Sequence, residues 1–447
     1  MKAADAVGRN TVGRHPRSTL ACAAILGAWL GQPEIAFAAT PTTPTEEGGA
    51  VSLAARKELV QLLQTDQFAE LDRRLRAYQQ RYEAAEGDEL EVAQAFAAFA
   101  TSDPALEPHL DRFVAAQPGW PARLARAQWR LRRAELERGT RWAKDTSDSQ
   151  FAGLERWLTL ASEDLGVALQ DGPRVQATYS TTLDVLRHGA PRAVREQILA
   201  RALAADPSAY LVRRTYLALL TPRWGGSFQE MESFVAEADA RAAANPRLRL
   251  LRGKIHRERA SQLSQSHQED AALAEYTRAV DLGPAEFALR DRAELLLARG
   301  LAGEALSDLN RAIALDPGVT GSYALRARAH AALGRRDRAL NDLDRALELD
   351  PLEPEARDAR ASVRIELSDW AGAEDDLSLA TRYEPRSART WLRLAWVQAR
   401  RGRDLAAAEE SVARAVALAP GDDEARQLLA DVRRRRAAAV PPASRQP

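Results

Sequence analysis

The stretch ALELDP, residues 346–351, belongs to a series that decides the fold. AIALDP (312–317) and AVALAP (415–420) repeat its form, which is an apolar helix end followed by a proline. The prolines of the series are separated by 33, 34, 34 and 35 residues and are Pro284, Pro317, Pro351, Pro385 and Pro420. Proline cannot continue a helix, and it biases the residue before it away from helical angles. The spacing therefore predicts a repeated helical unit that ends at each proline.

Alanines recur in step with these prolines. One helix of each unit carries an alanine of the series Ala260, Ala293, Ala327, Ala361 and Ala395. The other helix carries two alanines on either side of a larger apolar residue, which is Tyr276, Leu309, Leu343, Leu377 or Val412. Small side chains let two antiparallel helices approach closely, and the larger residue fills the space toward the next unit. Because one hairpin cannot bury its own apolar face, we expect the units to stack on one another.

This pattern resembles the tetratricopeptide repeat, whose period is about 34 residues. The resemblance implies an all-α fold, namely a right-handed superhelical α-solenoid of helical hairpins, here preceded by an irregular helical N-terminal half. Five units are expected within 253–420, and they are 253–284, 286–317, 320–351, 354–385 and 388–420. A capping helix is expected at 421–436, because the end of such an array needs a polar outer face, and a disordered tail at 437–447.

Arginine takes an unusual place in these units. The family's Leu-Gly pair becomes Arg-Ala four times, with the arginines at Arg259, Arg292, Arg326 and Arg360. An arginine stem can cover apolar surface while its charged head stays in water, so we expect these guanidinium groups to be solvated. The acids of AEDDL (373–377) are interpreted as favouring a helix start rather than forming a catalytic pair.

The overall composition supports an all-α fold and excludes one class of partner. Alanine and leucine, which suit helices, are abundant, and no sustained alternation of apolar and polar residues occurs. QATYSTTLDVL (176–186) is the only run that favours a strand, and it lies inside a helical pattern. Lysine and arginine number 63, as do aspartate and glutamate, so the chain has no net basic field. We therefore expect no nucleic-acid partner.

The N-terminus has the layout of a secretory signal peptide. Lys2 and three arginines precede the apolar run STLACAAILGAWLG (18–31), and Ala36-Phe37-Ala38 has the small-x-small form of a cleavage signal. We expect residues 1–38 to be removed, residues 39–50 to be a flexible linker, and the protein to be exported to the bacterial periplasm without stable membrane insertion. Retention of the leader as an anchor is the alternative. The single cysteine, Cys22, lies in the leader, so the mature chain would have no disulfide.

Residues 51–252 are predicted to form an irregular α-helical domain. Its least helical part is the loop TPRWGGSFQEM, residues 221–231. Pro222 ends the helix before the loop, and Gly225 and Gly226 permit backbone angles that other residues avoid. The loop therefore predicts a sharp turn between two helices.

The second half of this loop allows a structural and a functional interpretation. Ser227 and Glu230 have the spacing of a capping box, in which the serine oxygen accepts an N–H and the glutamate accepts the serine N–H. Trp224 is expected to dock the turn onto neighbouring helices. The functional alternative is an anion held at the helix N-terminus with the help of Arg223. The region resembles an exported bacterial family classed only as a domain of unknown function, which brings no known chemistry.

No stretch of the chain brings a nucleophile, a base and an orienting group together. The six histidines are scattered, and none of them lies at a spacing suited to a shared metal. We therefore expect a protein that is not an enzyme and that has no cofactor and no metal.

A curved stack of hairpins exposes the first helix of each unit on its concave side, where a partner would bind. The candidate partner-binding residues, chosen by their offset from the alanines, are Lys254, Arg257, Arg290, Glu294, Arg328, Glu355, Asp358, Arg389 and Trp396. The arginines among them favour a protein or peptide partner with an extended acidic segment or a C-terminal carboxylate. Trp396 is a candidate aromatic anchor. The sequence thus predicts a non-catalytic exported scaffold.

A second hypothesis places the function in the first half of the chain. Residues 51–252 would be an envelope-polysaccharide binding module or enzyme, and the repeats would serve recruitment. The tryptophans that could stack on sugars are Trp120, Trp129, Trp142 and Trp157, although core packing explains them more simply.

Overall fold

The computed structural model describes Leu26 and residues 51–138, 146–283, 285–383 and 385–439. Throughout these residues the chain forms 21 α-helices and no β-strand, which confirms the predicted all-α class. The rest of the predicted leader, the predicted linker, Trp142 and the last eight residues lie outside the described part of the chain. The polypeptide divides into two compact units, Met1–Arg259 with Asp281–Gly283 and Ala260–Val280 with Pro284–Pro447.

Eleven of the described helices begin in the first unit. They are α1 (Leu53–Gln64), α2 (Phe68–Glu83), α3 (Glu89–Ala97), α4 (Glu107–Ala116), α5 (Trp120–Arg138), α6 (Asp148–Asp171), α7 (Gln176–Leu186), α8 (Arg192–Ala205), α9 (Leu211–Leu219), α10 (Phe228–Asp239) and α11 (Leu251–Gln265). Short 3₁₀ turns occur at Pro104–Leu106, Pro222–Trp224 and Pro246–Leu250. The boundary between the two compact units falls inside α11, after Arg259.

Helix α7 is the run QATYSTTLDVL, whose residue types favour a strand. Almost every side chain of this helix is buried, so its neighbours and not its intrinsic preference decide its conformation. The hydroxyls of Thr181 and Thr182 donate to the carbonyls of Ala177 and Thr178, four residues earlier. These bonds satisfy the hydroxyls inside the helix, so the threonines can be buried there.

The tryptophans of the first unit lie in its hydrophobic core. Trp129 and Trp157 are buried edge to face, with ring centroids 5.3 Å apart. Trp120 is buried beside Phe96. A sugar ring stacks only on an exposed indole face, so these three residues support core packing and not the polysaccharide hypothesis. Leu26, from the predicted leader, is fully buried in the same core.

The second unit is an α-solenoid of helical hairpins. Its remaining helices are α12 (Glu269–Asp281), α13 (Glu286–Ala298), α14 (Ala302–Leu315), α15 (Thr320–Ala332), α16 (Arg336–Leu349), α17 (Pro354–Glu366), α18 (Trp370–Tyr383), α19 (Ala388–Arg401), α20 (Leu405–Leu418) and α21 (Asp423–Ala439). Each helix from α13 to α20 packs against the next in the chain. Helix α21 packs on α20 and ends at Ala439, so the first three residues of the predicted tail are helical instead.

The alanine series is buried where the two helices of a hairpin meet. Ala293, Ala327, Ala361 and Ala395 of the first helices are at most 2% exposed. The larger residues of the second helices, Leu309, Leu343, Leu377 and Val412, are fully buried beside them. A side chain larger than alanine at these positions would push the helices apart, which explains why the small residues recur with the period of the hairpin.

The expectation that the arginine heads are solvated is wrong for three of the four units. The guanidinium groups of Arg292, Arg326 and Arg360 each make two hydrogen bonds, of 2.6–2.9 Å, with a buried carboxylate sixteen residues later. Those carboxylates, in the second helix of the same hairpin, belong to Asp308, Asp342 and Asp376. A guanidinium excluded from water at a helix interface needs such a bidentate partner.

Two of these arginines also reach the preceding hairpin. Arg326 donates to Asn310 (2.9 Å), and Arg360 donates to Asp344 (2.7 Å), again sixteen residues away. Each arginine therefore joins the two helices of its own hairpin and links that hairpin to the one before it. The register between neighbouring hairpins is held by directional hydrogen bonds as well as by apolar packing.

Candidate functional site

The loop between α9 and α10 is a turn with two distinct glycine requirements. Gly225 follows the 3₁₀ turn Pro222–Trp224 and has a φ of +85°, which L side chains rarely adopt. A Cβ atom on Gly226 would lie 2.1 Å from the carbonyl oxygen of Leu220. The first glycine is required by backbone conformation, and the second by contact with the end of α9.

We expect Gly226→Ala to destabilise the first unit by about 3 kcal/mol, because the clashing atoms belong to the backbone and cannot rotate away. Gly225→Ala should cost about 1 kcal/mol, since open space surrounds that position and only the dihedral angle is strained. Urea unfolding of the two variants measures the difference. Equal losses would contradict the close approach at Gly226.

The polar residues of this loop bond to the protein. The Ser227 hydroxyl oxygen accepts the Glu230 N–H (3.2 Å) and caps α10, as predicted. Glu230 was predicted to accept the backbone N–H of Ser227. Its carboxylate instead accepts the hydroxyl of Ser227 (3.1 Å) and a guanidinium N–H of Arg192 (2.5 Å). Because Arg192 competes for the carboxylate, only one half of the capping box forms.

The cation required by the anion interpretation is already paired. Arg223 donates to both carboxylate oxygens of Glu258, at 2.9 and 3.3 Å. Trp224 is half-buried and lines a recess of about 20 Å³, which has room for about one water molecule. The geometry therefore favours a structural turn over an anion site.

The second unit presents a face built from the first helices of its hairpins. Helix α13 contacts α15, and α15 contacts α17. Arg393 of α19 donates to the hydroxyl of Ser362 on α17 (2.7 Å). One row of residues across this face follows the repeat period of 34. It consists of Glu294, Arg328, Ser362 and Trp396. We call this face the inner face. The predicted residues Glu294, Arg328 and Trp396 all belong to it.

Two predicted members lie elsewhere. Lys254 and Arg257 belong to the first compact unit and not to the unit that contains the regular hairpins. The Lys254 ammonium donates to the carbonyl oxygen of Arg214 (2.8 Å). Burial holds the pKa of Lys254 well below its usual value. The regular spacing extends into α11, but the packing that defines the inner face begins one hairpin later.

The arginines predicted to bind a partner in the early hairpins have carboxylates nearby. Arg290 donates to Glu286 (2.9 Å), which accepts the hydroxyl of Ser322 as well. Arg328 is exposed and lies 3.9 Å from Glu294. Farther along the inner face, Asp358 pairs with Arg393 of α19, while Glu355 is exposed. These pairs leave little net positive charge on α13 and α15.

The last hairpin has a different character. Arg389, Leu392, Trp396 and Arg400 follow one another at spacings of three, four and four residues, and so share one side of α19. Trp396 is 40% exposed. Arg389 and Arg400 are exposed and form no ion pair with any residue in the described ranges. This side of α19 therefore combines an accessible indole with two cations that have no carboxylate partner among the described residues.

Trp370, at the start of α18, supports this surface. Its ring centroid lies 5.6 Å from that of Trp396, and the Arg400 guanidinium lies over it at 5.8 Å. We define Arg389, Leu392, Trp396, Arg400 and Trp370 as the α19 patch. Sequence reasoning named Arg389 and Trp396 but missed Arg400, although its helical spacing from Trp396 was a usable signal. Trp370 could not be found from spacing, because it comes from another hairpin.

Metal binding and membrane crossing receive no support from the residues that the structure describes. No three His, Cys, Asp or Glu side chains among them come together as metal ligands. Within the same residues, no helix combines the length and the apolar character needed to cross a membrane.

Comparison with known proteins adds two family matches. Residues 320–351 match the family described as tetratricopeptide repeat, and residues 193–251, which include the loop with the two glycines, match the domain of unknown function DUF4034. No curated protein matches the chain.

Three similar solved structures match between 34% and 40% of this chain. A thermophilic TPR protein of Thermus thermophilus is 26% identical, with 40% of this chain and 98% of that chain covered and a TM-score of 0.35. YrrB, described as a TPR protein with an unusual peptide-binding site, is 20% identical (39% and 89% covered, TM-score 0.33). MamA from Desulfovibrio magneticus RS-1 is 23% identical (34% and 85% covered, TM-score 0.32). The two family matches show that the chain has a tetratricopeptide repeat segment, preceded by a helical region similar to DUF4034.

Proposed function

We propose that this protein is a non-catalytic scaffold that binds a protein or peptide partner through the inner face of its second unit. The observation that supports this most directly is the α19 patch. A large exposed aromatic side chain, held by a second ring and flanked by free cations, is typical of the residues that dominate binding energy at interfaces. The stacked hairpins around it supply a long, regular surface.

The chemistry of the α19 patch indicates what kind of segment it binds. Trp396 offers apolar area at a low cost in side-chain entropy, and this suits an apolar or aromatic side chain. Arg389 and Arg400, free of carboxylate partners in the described chain, suit carboxylates on either side of that anchor. We therefore propose a partner segment with acidic residues, or a C-terminal carboxylate, next to an apolar anchor.

A peptide array tests this proposal. The peptides vary in the number of carboxylates, in the presence of one apolar or aromatic residue, and in a free or amidated C-terminus. We expect the full-length protein to bind peptides that have both features. Trp396→Ala should weaken this binding about thirtyfold, which corresponds to about 2 kcal/mol.

Two charge-reversal variants test whether the position of the arginine, and not only the net charge of the protein, determines peptide binding. Arg400→Glu should weaken binding of the acidic peptides, whereas Arg311→Glu, an equally unpaired and exposed arginine on α14, should leave it unchanged. Thermal unfolding should be nearly the same for all three variants. The absence of any peptide binding, or equal binding by wild type and Trp396→Ala, would refute the assignment.

We also propose that the protein is exported and works in the bacterial periplasm. The basic lead, apolar run and Ala36-Phe37-Ala38 signal support this. The mass of the protein recovered from the periplasm tests it, since cleavage after Ala38 leaves a chain that starts at Ala39. Because Leu26 is buried in the core of the first unit, the thermal stability of that processed chain also reports whether the leader contributes to the fold.

A further inference from the structure

The first unit contains a cavity that neither the repeats nor the two-glycine loop explains. It has a volume of about 290 Å³, close to the lower limit for small-molecule sites. One wall is the side of α2 that carries Arg76, Gln79 and Glu83. The opposite wall is the turn between α6 and α7, including Asp171, and Trp120 of α5 forms part of the lining.

Gln79 is the unusual residue of this cavity. Its side chain is 5% exposed, and its amide nitrogen donates to the carboxylate of Glu83 (2.9 Å). That bond fixes the orientation of the amide, because only the nitrogen can donate. The amide oxygen Oε1 is then left buried with no hydrogen-bond partner among the described residues. A buried acceptor without a donor costs about 1–3 kcal/mol, so an N–H or O–H donor supplied to this oxygen would stabilise the protein.

The charged groups along α2 lie in a definite order around this acceptor. Arg76 comes one turn before Gln79, and Glu83 comes one turn after it, so cation, carbonyl oxygen and carboxylate span about 10 Å along the helix. The guanidinium of Arg76 lies over the Trp120 ring at 5.7 Å and uses only its Nε to bond Asp72. Its terminal N–H groups have no partner in the ranges that the structure describes, and are available to a ligand.

The opposite wall also carries both signs of charge. Asp171 accepts the backbone N–H of Trp120 through one oxygen (2.7 Å), and Arg174 lies three residues farther along the turn. Lining groups of both signs favour neither a simple anion nor a simple cation. They favour a small molecule that itself carries a negative and a positive group a few ångströms apart.

We propose that this cavity binds a small zwitterion, namely a free amino acid or a dipeptide. The ligand's carboxylate lies toward Arg76, and its ammonium donates to Oε1 of Gln79 and to the carboxylate of Glu83. The bound ammonium supplies the donor that Gln79 lacks. This site is independent of the peptide-binding surface proposed for the second unit.

Calorimetric titration of the full-length protein with the free amino acids and a set of dipeptides tests the proposal. We expect at least one of them to bind, and its N-acetylated form to bind at least tenfold more weakly, because acetylation removes the ammonium. Its amidated form should also bind more weakly, since it lacks the carboxylate. Amino acids and dipeptides are separate arms, and the tighter arm identifies the ligand's length.

Two variants connect the binding to this cavity. Gln79→Leu keeps the approximate volume and removes the carbonyl oxygen, so we expect at least tenfold weaker binding with no loss of thermal stability. Arg76→Gln should weaken binding because it removes the cation that faces the ligand's carboxylate. If Gln79→Leu fails to fold, Arg76→Gln alone tests whether the ligand binds in this cavity. Gln64→Leu, at an exposed position of α1 outside the cavity, should bind like wild type. No heat from any amino acid or dipeptide, or unchanged binding in Gln79→Leu and Arg76→Gln, would overturn the proposal and leave ordered water as the partner of Gln79.

Discussion

Asp376→Asn is expected to lower the free energy of unfolding of the second unit by about 3–5 kcal/mol. The Asp376 carboxylate is 1% exposed and accepts hydrogen bonds from Arg360 (2.6 and 2.9 Å) and Arg364 (2.8 Å), while Arg357 lies 3.5 Å away. Removal of this one negative charge leaves three partly buried guanidinium groups without their common partner. The loss should exceed that of Asp342→Asn, which frees the bonds of one arginine.

Chemical denaturation measures this effect, and hydrogen exchange locates it. Exchange should increase most in α17 and α18, because in an array of repeats each hairpin depends mainly on its neighbours. Asp375→Asn is the matched control, since Asp375 is the adjacent residue and is exposed, and it should change stability by less than about 0.5 kcal/mol. Similar values for the two variants would show that the buried ion pairs do not stabilise the second unit.

The second large effect is a dependence of the first unit's stability on pH, caused by Glu89. Its carboxylate is 3% exposed and accepts the backbone N–H groups of Tyr210 (2.6 Å) and Leu211 (2.9 Å) at the start of α9. Burial raises the pKa of Glu89 to about 7, although the two N–H groups act in the opposite direction. The nearby carboxylates of Asp206 and Asp88 raise it further.

A carboxyl group whose pKa is higher in the folded state stabilises the fold at low pH, below its unfolded pKa of about 4.5. This contribution is lost as the pH rises through 7, because the folded protein must then hold a buried charge. Relative to Glu89→Gln, we expect wild type to lose about 2–3 kcal/mol of unfolding free energy between pH 5 and pH 8. Urea unfolding at several pH values measures the difference between the two proteins.

Comparing wild type with Glu89→Gln cancels the contribution of other titrating groups. One of these is His188, whose pKa is lowered to about 3 by burial. Glu86→Gln serves as the control, since Glu86 is exposed three residues before Glu89. It should follow the pH profile of wild type. A constant difference between wild type and Glu89→Gln across this range would mean that Glu89 stays ionised in the folded protein, held by the two N–H groups.

Several features of the candidate site were predictable from the sequence. Trp396 was placed on the inner face by its offset from Ala395, because both lie on a helix whose register the alanine series defines. The turn at Gly225 and Gly226 was predicted for the same kind of reason. A proline, a glycine pair and an N-capping serine determine the backbone conformation within a few residues of themselves. Local rules sufficed wherever the interacting groups were close in the chain.

The sequence prediction was wrong where a charged side chain pairs with a residue on another helix. Arg292, Arg326 and Arg360 were expected in water, yet each pairs with an aspartate sixteen residues away. The spacing of sixteen recurs in three hairpins and could have been found, but each arginine and each aspartate was interpreted on its own helix. Lys254 has a regular repeat position, while its ammonium donates to the carbonyl oxygen of Arg214 in the first unit.

The amino-acid sequence by itself determined the helices, their turns and the period of the hairpins, because these depend on proline, glycine and alanine acting over one or two helical turns. Only the tertiary structure decided which charges are neutralised and which remain free for a partner. Glu89 bonds to backbone groups 121 residues away, and Trp396 lies against Trp370 of the preceding hairpin. The energy of a charge depends on its distance to every other charge and to water, and those distances exist only after the chain has packed.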